Sequence, residues 1–159
     1  MNVISNVEIK RPSWQTAVIL TLGFWLSASI VLDWVIMPSL YLSGMMTQTG
    51  FAAAGYTIFW NFNRIELLSA SIVLTCVLAM GKTYSWRSGI VALSVLLLGV
   101  CLVDTYFLTP QMSAIGVQLN LFETATTIPG EMNLLHGGYW VLEAVKFLAA
   151  GTLLNRCWR

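Results

Sequence analysis

Eight residues of this 159-residue chain have the types and spacing to do chemistry inside an apolar protein: Asp33, Asn63, Arg64, Glu66, Asp104, His136, Glu143 and Lys146. Carboxylates, cations, an amide and the chain's one imidazole together suit a site for a proton, a metal ion or a cationic group. At about 100° per residue along a helix, His136 and Glu143 share a face, and Lys146 lies one turn beyond Glu143. Asn63 and Glu66 share a face in the same way. Setting Asp33, Glu66, Asp104 and Glu143 against Arg64 and Lys146, with His136 neutral, leaves a formal charge of minus two. In a partly dehydrated interior that surplus requires bound protons, ordered water or a cation. In a competing reading the same residues are interhelical glue: those near the helix exits are hydrated, and Arg64 and Lys146 pair with acids to fix register. Arg64 is expected to serve one of the aspartates as counter-ion.

The elements that position these residues are apolar. The chain is 57% hydrophobic and 9% charged, with a mean hydropathy of +0.76, which leaves too little polar surface to cover a soluble globule. The expectation is an all-α integral membrane four-helix bundle, a single transmembrane domain. Apolar runs predict helices at about 15–37, 59–80, 89–109 and 136–155, each near the ~20 residues needed to cross hydrocarbon. Pro38 and Pro110 are read as their stops, because proline cannot continue the backbone hydrogen-bond ladder. Trp60 to Glu66 forms a polar head on the second helix, costly in lipid unless partners bury it. The stretches 37–57 and 111–135 read as longer connections, the second holding Glu123, Glu131 and Pro129-Gly130.

Topology follows from lysine and arginine placement. Lys10, Arg11, Lys82, Arg87, Arg156 and Arg159 all fall on the side of the termini, so both termini are expected to be cytoplasmic, in a bacterial inner membrane or an equivalent organelle or thylakoid membrane. The polar N-terminal stretch is unlike a cleavable signal peptide, so the first helix is expected to stay in the mature protein. All the unusual polar residues then converge toward the outer side, where four inward faces build one pocket. The chain also reads as two related helical hairpins, since the first helix closes Asp33 to Pro38 and the third closes Asp104 to Pro110.

Several classes are disfavoured. A net charge of +1 supplies no basic stripe for nucleic acid. Cys76, Cys101 and Cys157 have no metal-ligand or disulfide spacing and read as small buried hydrophobes. No nucleophile elbow, glycine-rich phosphate loop or di-iron ExxH pair is present, which favours a non-enzymatic protein. His136 reads first as a capping or interfacial residue, then as a base or axial ligand. Met132 with His136 offers soft donors for Cu(I), a minor idea beside methionine packing. The aromatic residues Trp25, Trp34, Tyr41, Trp60, Tyr106, Tyr139 and Trp140 form an interfacial belt by default. A pocket for an aromatic ring or quinone is the alternative.

The order of features resembles the transmembrane-protein-205-like family of four-helix membrane proteins. It does so through Phe51 leading by way of Tyr56 into a polar-headed helix, through Leu108-Thr109-Pro110-Gln111-Met112, and through Leu135-His136-Gly137-Gly138. The resemblance implies a helical bundle linked loosely to metal or drug tolerance, with no settled activity to carry over. Glu143 and Lys146 make the last helix more charged than that family's. A fainter resemblance is to the small four-helix proteins similar to anthrone oxygenases. The function expected from all of this is binding or transport of a small cation through an acidic pocket containing His136, or docking onto a larger membrane complex or a second copy. The alternative is a membrane enzyme or binding protein for an apolar aromatic or quinone-like ligand, using His136 and Glu143.

Overall fold

In the computed structural model, which describes residues 13–45, 48, 50–80, 87–122 and 130–158, the chain forms four long helical rods. Lys10, Arg11, Met46, Lys82, Glu123, Pro129 and Arg159 lie outside the described residues, as does the side chain of Arg87. The first rod is α1 (Ser13–Ile30), a π-helical turn over Val31–Ile36, and α2 (Met37–Leu42). The second is α3 (Phe51–Ala79). The third is α4 (Arg87–Val103), a π-helical turn over Asp104–Leu108, and α5 (Thr109–Phe122). The fourth is α6 (Gly130–Trp158).

Each rod is longer than its apolar run, and in the first and third the reason lies at a proline. Pro38 and Pro110 do not stop their helices as expected. Proline lacks an N–H, and its ring collides with the carbonyl of residue i−4 in a regular helix. Here the ladder widens just before each proline: Met37 N–H bonds the carbonyl of Leu32, and Thr109 N–H that of Asp104, both five residues back. The wider turn moves the offending carbonyl away, and the helix resumes with proline in its first turn, where no N–H is needed. Residues 37–42, 51–57, 111–122 and 130–135, expected as connections, are helical, and α3 and α6 begin well before the predicted residues 59 and 136. The bend joining the first two rods needs two glycines, Gly44 and Gly50, whose φ values of 71° and 89° other residues rarely adopt.

Successive rods run antiparallel and each packs on its neighbours in sequence, with α1 also meeting α6 to close the ring. Both ends of the described chain lie at one end of the bundle, the proximal end. There the Gln15 side chain donates to the Cys157 carbonyl, and the Arg156 guanidinium lies against Gly89. The proximal half is filled by Val18, Leu22, Val73, Val77, Leu97, Leu153 and their neighbours, all buried. Cys76, Cys101 and Cys157 are free and sit within this apolar core.

The sides of the bundle carry the opposite chemistry to its distal interior. Leu20, Phe24, Leu68, Val95 and Leu148 are exposed, while Asp33, Glu66, Asp104, Glu143 and Lys146 are buried. Apolar outside with charge inside is stable only where the surroundings are themselves apolar. Three of the rods, over Ser13–Leu42, Phe51–Ala79 and Ser88–Gly116, are long and apolar enough to cross a bilayer. The protein is an integral membrane protein with an all-helical described fold.

Candidate functional site

The inward face of α1 carries Trp25 and Ser29 at a four-residue spacing, and Asp33 continues it into the π turn. From α3 come Asn63 and Glu66, from the third rod Asp104 and Thr109, and from α6 Tyr139, Glu143 and Lys146. Both π turns contain an aspartate, and in each the aspartate points inward. A widened turn rotates the residues that follow it relative to a regular helix. The aspartates themselves keep the buried face of the helix before them, Asp33 following Trp25 and Ser29, and Asp104 following Leu97 and Cys101, while Trp34 and Tyr106 stay exposed.

At the centre lies Lys146. Its ammonium donates to Glu66 Oε1 and to Glu143 Oε1, each at 2.5 Å. Glu66 Oε1 also accepts from the Trp25 indole at 2.9 Å and the Ser29 hydroxyl at 3.1 Å. Trp25, the largest fully buried side chain, thus floors the charged layer and separates it from the apolar core. One turn distal, Tyr139 donates to Asp33 Oδ1 at 2.8 Å, and Asn63 donates to the Thr109 hydroxyl at 2.8 Å. Tyr139 is held edge-on against Phe59, with ring centroids 5.9 Å apart.

The acids outnumber the cation. Asp33, Glu66, Asp104 and Glu143 are 3%, 2%, 1% and 2% exposed, and the only cation buried with them among the described residues is Lys146, at 1%. Asp33 Oδ2, both Asp104 oxygens and Glu143 Oε2 are buried with no hydrogen-bond partner in the protein. Unpaired buried carboxylate oxygens are costly wherever they occur, and more so inside a membrane.

Above this layer the distal end opens into a cavity of about 610 Å³. Asp33, Tyr139 and Thr109 line its inner part, and His136, Tyr41 and Tyr56 are among its walls. Met37, Met112 and Met132 also line it, so three of the methionines share one wall system with the histidine. No lysine or arginine is found among the described lining residues.

The structure thus brings together Asp33, Glu66, Asp104, Glu143 and Lys146, with Asn63 beside them. It sends two of the expected residues elsewhere. Arg64 is exposed: its guanidinium lies 3.1 Å from the Trp60 ring centroid and donates to the Trp60 carbonyl at 3.2 Å, so it is not the counter-ion of an aspartate. The reason is angular, because Asn63 and Glu66 occupy the inward face of α3 and the residue between them that follows Asn63 must turn outward. His136 is exposed at the cavity, its Nδ1 2.9 Å from the Met132 carbonyl, while Glu143 bonds Lys146 in the layer beneath. Among the described residues no three His, Cys, Asp or Glu side chains converge closely enough to hold a metal ion. Residues that sequence reasoning left out of the site are Trp25, Ser29, Thr109 and Tyr139. Their signal was present in part: Trp25, Ser29 and Asp33 recur every four residues along one face.

No family model matches the chain, and neither a curated protein nor a solved structure proves similar to it. The class of protein is therefore set by its own fold and site: an integral membrane helical bundle with a buried acidic layer beneath a distal cavity.

Proposed function

We propose that this protein is a four-span membrane protein that binds a small cation, the proton included, at the carboxylate layer around Lys146. The observation that carries the reading is the mismatch between four buried carboxylates and one buried ammonium, with four carboxylate oxygens left unpartnered. Lys146 neutralises one acid; the remaining negative charge is balanced by protons or, since no three acids converge on one point among the described residues, by a cation that at most two of them hold. The α6 rod, with the charges of Glu143 and Lys146, is the fourth span, its polar residues facing the bundle interior. The lysine and arginine distribution supports a cytoplasmic location for the proximal end, so that the cavity faces outward.

A bound cation stabilises the state that holds it, by about 2.7 kcal/mol at a hundred times its Kd. Thermal unfolding of the purified protein in nanodiscs, between pH 5 and 8 and with Na⁺, K⁺, Mg²⁺, Ca²⁺ or Mn²⁺, tests the reading. The melting temperature is expected to rise by about 5–10 °C with the cognate cation, and this response is expected to vanish in Asp104→Asn/Glu143→Gln. A melting temperature indifferent to pH and to every cation, or a response that survives the double substitution, removes the support.

A further inference from the structure

The cavity above the carboxylate layer has a ligand chemistry of its own. Asp33 is buried among its lining residues, with Oδ1 held by Tyr139 and Oδ2 left without a partner. The rings of Tyr41, Tyr56, Phe59, Tyr139 and Trp140 surround the same space. Phe59 and Trp140 each meet Tyr139 edge-on, at 5.9 and 6.0 Å, so the carboxylate is presented on a braced aromatic wall. Aromatic faces attract cations, and more strongly where water is excluded. The volume of about 610 Å³ falls in the range of sites for drug-sized organic ligands, roughly 300–1,000 Å³, and far exceeds what a bare inorganic ion fills. A neutral quinone carries no positive charge to set against the surplus of buried carboxylates.

We propose that this cavity binds a hydrophobic organic monocation with an aromatic or branched apolar body, its positive charge against Asp33 and its body among the rings. The assignment deepens the cation-binding reading and rests on the unbalanced carboxylates of that site. It places the organic ligand in the cavity and leaves the layer around Lys146 to the proton or inorganic ion.

Equilibrium binding of tetraphenylphosphonium to the full chain in detergent tests the assignment. Tetraphenylborate serves as the same shape with the opposite charge, and a short-chain benzoquinone as the neutral ring compound. Saturable binding of the phosphonium is expected, about tenfold or more tighter than either control, and weakened by about tenfold or more in Asp33→Asn. That substitution keeps an acceptor for Tyr139, so the local fold is preserved. Gly55→Phe is the second variant: Gly55 is helical and lines the cavity, and a Cβ there meets nothing within 4 Å, so the new ring fills the cavity without straining the backbone. It is expected to abolish phosphonium binding while leaving the thermal response to pH intact, because Glu66, Asp104, Glu143 and Lys146 do not line the cavity. Absence of saturable phosphonium binding, equal affinity for the borate, preference for the quinone, or binding unmoved by both variants would each overturn the assignment. If the wild type shows the cation-dependent melting shift, lost in Asp104→Asn/Glu143→Gln, and yet ignores the phosphonium, the organic-cation assignment fails alone. If phosphonium binding depends on Asp33 but no proton or inorganic cation shifts melting, it is the function assigned to the Lys146 layer that fails.

Discussion

Lys146 Nζ and Glu66 Oε1 lie 2.5 Å apart at the middle of the bundle, joining α6 to α3 across a site from which solvent is excluded. The same ammonium reaches Glu143, one turn earlier on its own helix. One cation thus serves two acids, with two further acids nearby. The consequences of losing each member are unequal.

Lys146→Met should be the most damaging single change in the layer. Removing one partner of a buried ion pair typically costs about 3–5 kcal/mol, because the other charge stays buried and uncompensated. Glu66→Gln leaves Lys146 with Glu143 and lowers the negative surplus, so its cost should be smaller. Reversible unfolding in mixed detergent micelles compares the two, and equal losses would contradict the asymmetry.

Tyr139→Phe removes the hydrogen bond to Asp33 and leaves both of its carboxylate oxygens without a protein partner. A loss of about 1–3 kcal/mol is expected, the usual cost of leaving a buried polar group unsatisfied. In the background of Asp33→Leu the same substitution should cost far less, because the orphaned acceptor is gone. A double-mutant cycle on melting temperature reads the coupling, and strict additivity would show that the contact contributes nothing.

Asn63 and Thr109 tie the second rod to the third. Interhelical hydrogen bonds in membranes average only about 0.6 kcal/mol, so Asn63→Leu or Thr109→Val alone should destabilise by roughly 1 kcal/mol. The pair of substitutions together should recover part of the loss, since neither polar group then remains buried alone. Unfolding midpoints of the three variants check this.

Arg64→Ala is expected to be nearly silent. Its guanidinium stacks on Trp60 at the bundle surface, a contact worth about 0.5–1 kcal/mol when exposed. Neither cation response nor phosphonium binding should change. A large effect on the cation response would place Arg64 within the charged layer after all.

Much of the site could be read from residue types and spacing. A carboxylate or ammonium within an apolar run must be buried against others of its kind, so Glu66, Glu143 and Lys146 point to one another before any coordinates exist. The direction of a single side chain is harder. Arg64 and Glu66 differ by two positions, about 200° around the helix, and only the packing of α3 shows which of them faces inward. Tyr139 looked like one aromatic of an interfacial belt because nothing local distinguishes a ring at a bilayer surface from one bracing a buried acid.

The sequence by itself determined that this chain is a helical membrane protein with more acid than base in its interior, because apolar runs and their rare charges are properties of the residues alone. Only the tertiary structure decided how the rods continue past Pro38 and Pro110. A proline forbids one hydrogen bond but does not say whether the chain answers by stopping or by widening a turn. That choice depends on what the rest of the rod can bury. Here Asp33 and Asp104 hold the inward face where the turns widen, and the continued helices build the walls of the cavity above them. The cavity exists because α2, α5 and the early turns of α3 and α6 come together, a meeting of segments far apart in the chain that no local spacing records.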